Sequence, residues 1–137
     1  HMMSLAELRA ALTGTGELDV LDFDMCLMGG YETLAQLAGL AKVAVFSEEV
    51  EPSSGVPYTG LLRGLAADPS VDARGLGALF VRAWDEHYRG GRHSTTQSAY
   101  DLAGLPAFEQ ALGAAAASLR AADLSALRAA GAGAQRY

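Results

Sequence analysis

Cysteine is nearly absent from this chain, which has Cys26 alone among its 137 residues. A single cysteine excludes an internal disulfide, so cysteine content does not fix the compartment. Lysine is equally scarce, and no stretch approaches the ~18 apolar residues that a membrane-spanning helix needs. No signal peptide is recognisable either. These absences predict neither a disulfide-stapled scaffold nor contact with a membrane.

Charge is also sparse and mostly of one sign. Charged residues make up 19% of the chain, and 16 acidic against 10 basic residues give a net charge of −6. Nucleic-acid binding is not expected, because phosphates select lysine and arginine, whereas an acidic surface attracts basic peptides. Half of the residues are hydrophobic, which is enough for the core of one domain. His1 and Met2 look like a cloning remnant.

Hydrophobic periodicity predicts an α/β protein with about three strands flanked by helices. Strands are expected over residues 18–23, 42–46 and 94–102, and helices over residues 4–13, 30–40, 58–67, 72–88, 106–119 and 124–130. Helices between strands favour parallel strands joined by right-handed crossovers. Because three strands leave unpaired edges, we expect either a missing part of the sheet or a homodimer. Residues 131–137 show no pattern and are predicted to fray.

Cys26 stands where chemistry often occurs in α/β proteins. The apolar strand is predicted to end near Phe23, and Gly29 and Gly30 mark a turn before the next helix. Catalysis in open α/β sheets gathers at the carboxyl ends of strands, and the N-terminus of a helix favours a thiolate. The alternative is a buried cysteine that serves as a small hydrophobe. Sequence position alone leaves both interpretations open.

Acidic residues accompany this cysteine. Asp24 lies two positions before Cys26, so the two side chains would start on the same face of a strand. Its carboxylate is suited to binding a guanidinium or ammonium group. Asp24 can equally be a solvated turn residue or a helix cap. The loop after the second strand contains three acids, Glu48, Glu49 and Glu51. These acids either are simply solvated or add negative potential beside Cys26.

The base that a thiol nucleophile needs is not evident. That base is usually a histidine, yet His87 lies in a predicted helix and His93 in a glycine-rich loop. Neither is predicted to be the partner of Cys26. No spacing indicates a zinc site, a calcium loop or a phosphate-binding loop.

Three segments, taken in order, resemble the clostripain family of cysteine peptidases, which belongs to the caspase-like clan. The family's nucleophile segment is similar to residues 18–29 (LDVLDFDMCLMG), its acidic loop to residues 47–58, and its later Thr-x-Ser-x-x-Asp-Leu stretch to residues 96–102. The resemblance runs intermittently from about Ser4 to Leu119. Residues 3–130 are thereby identified as the C-terminal, nucleophile-containing part of a catalytic domain.

This resemblance implies a caspase-like α/β/α sandwich and a bacterial endopeptidase with a His–Cys dyad. Cys26 matches the nucleophile, Asp24 matches the carboxylate that binds Arg or Lys before the scissile bond, and Ser47 and Glu48 are expected to help bind substrate. No cofactor is required by the residues, although family analogy suggests calcium and a secreted or periplasmic location. The implied partners are a peptide or protein substrate with Arg or Lys and an N-terminal segment that carries the histidine.

The chain departs from the family pattern at three points. No His-Gly segment precedes Cys26, Met25 replaces the usual alanine, and Val56 stands where the family commonly has tryptophan. We therefore expect little or no activity from this chain alone. The alternative function is a non-catalytic binding or assembly module on the same scaffold, in which Cys26 is a relic.

Overall fold

The computed structural model describes residues 3–91 and 95–134. Within these ranges the chain forms three strands, β1 Leu18–Asp22, β2 Ala41–Phe46 and β3 Ser98–Asp101. Its helices are α1 Leu5–Leu12, α2 Tyr31–Leu37, α3 Tyr58–Ala67, α4 Ala73–Tyr88, α5 Leu105–Ala121 and α6 Leu124–Ala132, with a 3-10 turn at Leu102–Gly104. The cloning remnant, His93 and residues 135–137 of the predicted tail lie outside the described residues.

The strands form one sheet in the order β1-β2-β3. β1 and β2 are parallel, with Asp22 opposite Val45, so both strands end at the same edge of the sheet. β3 runs antiparallel to β2, and its first residue, Ser98, is opposite Phe46. The carboxyl ends of β1 and β2 and the start of β3 therefore meet at one edge, and the Cys26 segment follows β1 there.

The third strand differs from the sequence prediction in length and direction. The pattern predicts residues 94–102 and a parallel crossover, whereas β3 is limited to Ser98–Asp101 and is antiparallel. Because α3 and α4 both connect β2 to β3, the chain returns to the edge at which β2 ended. The Asp101 side chain accepts a hydrogen bond from Ala103 N–H at 3.1 Å and so caps the 3-10 turn that ends the strand. Ser94, the predicted start, lies outside the described residues.

One face of the sheet packs against α1 and α2. Phe23, Ala44 and Phe46 are buried there together with Leu37 of α2, while leucines of α1 pack against the cluster. Burial of each large apolar side chain contributes about 1.5–3 kcal/mol relative to its exposure. This face therefore holds the main core, directly under the edge where Cys26 lies.

The other face packs against α4. At Gly77 a β-carbon would lie 2.9 Å from Val43 Cγ1 and 3.1 Å from the Ala99 β-carbon, so the absence of a side chain lets the helix approach the sheet closely. α3 and α4 share a second buried cluster that includes Leu61 and Trp84. Since helices cover both faces, the architecture is an α/β/α sandwich around a three-stranded sheet, which confirms the predicted fold class.

The described residues up to Leu105 form one compact unit, and those from Pro106 onward form a second. The second unit is helical, and Asp123 caps α6 by accepting a hydrogen bond from Ala126 N–H at 3.1 Å. α6 continues to Ala132, past its predicted end at residue 130. None of the described helices combines the length and the apolar character needed to cross a membrane. The candidate site lies in the first unit.

Candidate active site

The segment that carries Cys26 is an irregular turn at the carboxyl end of β1. Phe23 follows the strand, is buried, and donates its N–H to Val45 O at 3.0 Å. The chain then leaves the sheet, and Asp24, Met25 and Cys26 are all exposed. The alternative in which Cys26 is an inert core residue is therefore excluded by its exposure.

This turn is tied to the loop that follows β2. Leu27 N–H donates to Glu49 O at 3.1 Å, and Gly29 N–H donates to Ser47 O at 2.8 Å. A β-carbon at Gly29 would lie 2.8 Å from Glu48 N and 2.9 Å from Ser47 C. Because these are backbone atoms, a side chain at this position would push the two loops apart. The loops thus form one main-chain platform beside the thiol, as expected for neighbouring strands.

Leu27, directly after the cysteine, has a left-handed backbone conformation with φ of 59°. A β-carbon at such a φ costs about 1–2 kcal/mol, and strain of this kind concentrates at functional sites. We expect Leu27→Gly to raise the free energy of unfolding by about 0.5–1 kcal/mol, because glycine adopts this φ freely. Urea denaturation measures the change. Leu27→Ala keeps the β-carbon and should bring no gain; an equal gain would contradict the strain.

The Cys26 sulfur contacts the backbone of Glu51. Glu51 N–H donates to Sγ at 3.3 Å, and Sγ lies 4.0 Å from Glu51 O. An N–H directed at sulfur stabilises the thiolate, which is the nucleophilic form. This donor comes from the loop after β2, whereas the helix anticipated in that role, α2, begins only at Tyr31. Among the described residues, Cys26 N–H makes no main-chain hydrogen bond and so can serve another acceptor.

Asp24 is held by the loop between β2 and α3. Its Oδ1 accepts a hydrogen bond from Val56 N–H at 3.0 Å, and its Oδ2 accepts one from Tyr58 Oη at 3.1 Å. Gly55 lies against the same carboxylate, since a β-carbon there would be 2.6 Å from Oδ1, and its φ of 62° also favours glycine. Tyr88 Oη donates to Gly55 O at 2.7 Å. The carboxylate is therefore exposed but held in one orientation.

Two further carboxyls lie near Asp24. Burial, and then the negative charge of Asp24, raises the pKa of Asp22 to about 7. Burial, then the charges of Asp24 and Asp22 and a hydrogen bond with Asp24, raises the pKa of Glu51 to about 7. Burial and the hydrogen bond to Asp24 raise the pKa of Tyr58 to about 12. This edge of the sheet is a concentrated acidic environment that favours a cation.

Ser47 and Glu48, which the resemblance assigns to substrate binding, have partners within the fold. Ser47 is fully buried, and its Oγ lies 3.0 Å from Thr96 Oγ1 and accepts a hydrogen bond from Glu49 N–H at 3.0 Å. Glu48 N–H donates to Thr96 Oγ1 at 3.1 Å, and the Glu48 carboxylate accepts a hydrogen bond from Tyr100 Oη. Both residues join the loop after β2 to β3 and thereby position that loop, while their role in substrate binding stays a prediction.

Electrostatics support this positioning role of Glu48. Burial on its own would raise its pKa, but hydrogen bonds from Ser98, Tyr100 and Thr96 lower the pKa of Glu48 below its ordinary value. Burial and the bond to Glu48 raise the pKa of Tyr100 to about 12. At neutral pH the ionised Glu48 therefore keeps a protonated Tyr100 as its donor, and the loop stays fixed to β3.

Comparison with known proteins identifies the family of this chain. The family model described as the clostripain family matches residues 1–130. The chain belongs to the clostripain family. This confirms the resemblance drawn from the nucleophile segment, the acidic loop and the Thr96 stretch. No curated protein matches the chain.

Solved structures resemble this clostripain-family chain in fold. A B. fragilis cysteine protease is 20% identical with a TM-score of 0.63, over 77% of this chain and 46% of that one. A clostripain from Bacteroides thetaiotaomicron, in complex with the peptide inhibitor BTN-VLTK-AOMK, is 18% identical with a TM-score of 0.57, over 77% and 45%. A secreted C11 cysteine protease from the same species, in complex with an irreversible peptide inhibitor, is 25% identical with a TM-score of 0.62, over 78% and 32%. The chain thus spans less than half the length of each.

His87 is the one histidine in the described part of this clostripain-family chain. It packs edge-on against Tyr88, with ring centroids 4.6 Å apart, and lines a cleft of about 580 Å³ with residues 54–60. No described hydrogen bond or ring contact joins it to Cys26. Nor do the described residues include a group of three or more His, Cys, Asp or Glu side chains that could hold a metal ion. The calcium that family analogy suggests therefore stays a prediction.

The sequence did not reveal that Tyr58 and Thr96 contribute to this site, or that the backbone of Glu51 contacts Cys26. Tyr58 reads as the start of a helix, and nothing in its neighbourhood links it to Asp24. Thr96 stands out only through the family resemblance. Glu51 is recognised as one acid of a loop, but its backbone contact with Cys26 follows from the parallel pairing of β1 and β2, which local patterns do not specify.

Proposed function

We propose that the complete protein to which this chain belongs is a cysteine endopeptidase that cleaves after arginine or lysine. Cys26 is its nucleophile, and Asp24 binds the cationic side chain. The observation that carries the proposal is an exposed thiol that accepts a hydrogen bond from Glu51 N–H at 3.3 Å and follows, two positions later in the chain, a carboxylate of fixed orientation. Membership of the clostripain family supports the same chemistry.

The reaction begins at the Cys26 sulfur. The thiolate attacks the carbonyl carbon of the scissile bond, and the new C–S bond forms while the carbonyl π electrons move to oxygen. The Cys26 N–H, which makes no main-chain hydrogen bond within the described residues, donates to this oxyanion, and one such donor contributes roughly 2.7–4 kcal/mol. The intermediate then collapses and expels the amine, which takes a proton as it leaves. Water finally attacks the acyl-enzyme, releases the acid and regenerates the thiol.

We assign the proton donor to a histidine on a segment outside this chain. His87 makes no described contact with Cys26, and the chain corresponds to 46% of the B. fragilis cysteine protease. Little or no activity is therefore expected from residues 1–137 alone. The gene sequence upstream of Ser4 is the cheapest test. A strand followed by His-Gly is expected there, and its absence would favour the non-catalytic module.

Specificity for a cation follows from the surroundings of Asp24. A carboxylate binds a guanidinium through two parallel hydrogen bonds, which give selection as well as affinity. The Val56 and Tyr58 contacts hold the carboxylate in place, and the carboxyls of Asp22 and Glu51 lie nearby. The inhibitor bound to the B. thetaiotaomicron clostripain contains a lysine, in keeping with this assignment.

Asp24→Asn in the complete protein should lower kcat/KM for Arg and Lys peptides by about 10- to 100-fold, because a charge-assisted bond of about 1.5–3 kcal/mol is lost. Asparagine preserves an acceptor for Val56 N–H, so the loop should stay in place. Matched peptides with Arg, Lys or Gln before the scissile bond measure the effect. Asp19→Asn, near the start of β1, is the control. An equal loss on the neutral peptide would contradict the cation-binding role.

A further inference from the structure

Glu51 is an unusual acid for a loop, because it is 8% exposed while the neighbouring Glu49 and Val50 are exposed. Its backbone is fixed, since Glu51 N–H donates to Cys26 Sγ at 3.3 Å. Its Oε1 is buried and has no hydrogen-bond partner in the described part of the chain. A buried carboxyl oxygen without a partner is costly and calls for a ligand that supplies donors.

Asp24 and Glu51 complement each other as ligands for a cation. Both oxygens of Asp24 already accept hydrogen bonds, from Val56 N–H and Tyr58 Oη. Glu51 retains an oxygen that has no hydrogen-bond partner among the described residues. An arginine side chain carries five N–H donors, more than a single carboxylate can accept. Donors that do not reach Asp24 therefore have a buried acceptor nearby.

We propose that Glu51 is a second substrate-binding carboxyl, which holds the cationic side chain together with Asp24, and that the cation displaces a proton from Glu51 when it binds. This assignment rests on the proposed peptidase function. It adds a specificity-determining residue to the site, and it makes substrate binding depend on pH.

The groups that face Glu51 explain why it holds a proton in the empty site. These are Asp22 at the end of β1, Asp24 and Cys26 in the turn, and Tyr58 at the start of α3. Burial and the charges of Asp24 and Asp22 raise the pKa of Glu51 to about 7, so the empty site keeps a proton there at mildly acid pH. A guanidinium or ammonium group neutralises the like charges, and the proton leaves to solvent.

The release of this proton determines how the affinity for the cation changes with pH. Binding releases a proton, so affinity for the cation rises with pH and levels off above the pKa of the empty site. Below that pKa each pH unit should weaken binding by about tenfold. Asp22 titrates in the same range, and the released proton is shared among coupled carboxyls. Removing the Glu51 carboxyl should nevertheless abolish most of the dependence, because of the two carboxyls that titrate in this range, Asp22 and Glu51, only Glu51 contacts the cation in this proposal.

Glu51→Gln in the complete protein should raise KM for an arginine peptide by about tenfold or more at pH 8 and leave kcat within about threefold, because the lost interaction positions the side chain rather than the reacting atoms. The variant should also lose the rise in KM between pH 7 and pH 5.5. Glu51→Asp should restore part of the pH dependence. Glu17→Gln, an exposed acid before β1, is the control for a change of net charge.

Binding of agmatine to the complete Cys26→Ala protein separates this inference from the peptidase proposal. Calorimetry in two buffers of different ionisation enthalpy should show close to one proton released per agmatine at pH 6, and much less for a protein that also carries Glu51→Gln. Unchanged proton release and unchanged KM in the Glu51→Gln protein would overturn the role of Glu51, even if Cys26→Ala abolishes cleavage. Proton release that depends on Glu51 would support the cation site even if the peptidase proposal fails.

Discussion

Cys26→Ala in the complete protein is expected to abolish cleavage of arginine peptides, with kcat reduced by about 10⁴-fold or more. Without the sulfur no acyl-enzyme forms, and the remaining oxyanion donor and binding contacts cannot replace a nucleophile. Release of a fluorescent amine from an arginine peptide measures the loss. Folding should be unaffected, because the Cys26 side chain is exposed and its one described donor is Glu51 N–H.

The matched control is Met25→Ala, which removes an exposed side chain from the neighbouring position of the same turn. It should keep kcat within about threefold. In addition, iodoacetamide should modify Cys26 readily at neutral pH, since an exposed thiol with an N–H donor is reactive. Turnover that persists in Cys26→Ala would exclude the nucleophile role and favour the binding or assembly module.

Much of the fold was predictable because local signals determine it. Ser4 and Glu7 form the capping box that starts α1, as a serine followed three residues later by glutamate predicts. The run KVAVF predicts a strand, and β2 covers Ala41–Phe46. Gly29 marks the turn after Cys26, and the structure shows that backbone crowding requires a glycine there. Each of these features depends on residues close together in the chain.

The remainder depends on contacts between distant residues, which local patterns do not encode. The direction of β3 depends on how α3 and α4 return the chain, so alternation within residues 94–102 could not reveal it. Ser47 and Glu48 turn toward Thr96 and Tyr100, about fifty positions later. In the acidic loop no strand period assigns faces, so Glu51 could not be told from its exposed neighbours.

Phe46→Ala is expected to lower the free energy of unfolding by about 3–5 kcal/mol, the usual effect of removing a buried aromatic ring. Phe46 is fully buried, with its ring 6.0 Å from that of Phe23 and stacked at 5.2 Å on that of Tyr100. The cavity would open between β2, β3 and the residue that leads into the Cys26 turn. Urea denaturation followed by fluorescence of the single tryptophan, Trp84, measures the loss in the first unit.

Leu62→Ala is the control, because that side chain is 57% exposed on α3 and its removal should change the free energy by about 0.5 kcal/mol or less. Phe46 also supports the site, since it stacks on the tyrosine that donates to Glu48 and directly precedes Ser47. In the complete protein, Phe46→Ala should therefore raise KM at temperatures where the protein remains folded. A loss of stability with unchanged KM would show that the loop after β2 keeps its position without this ring.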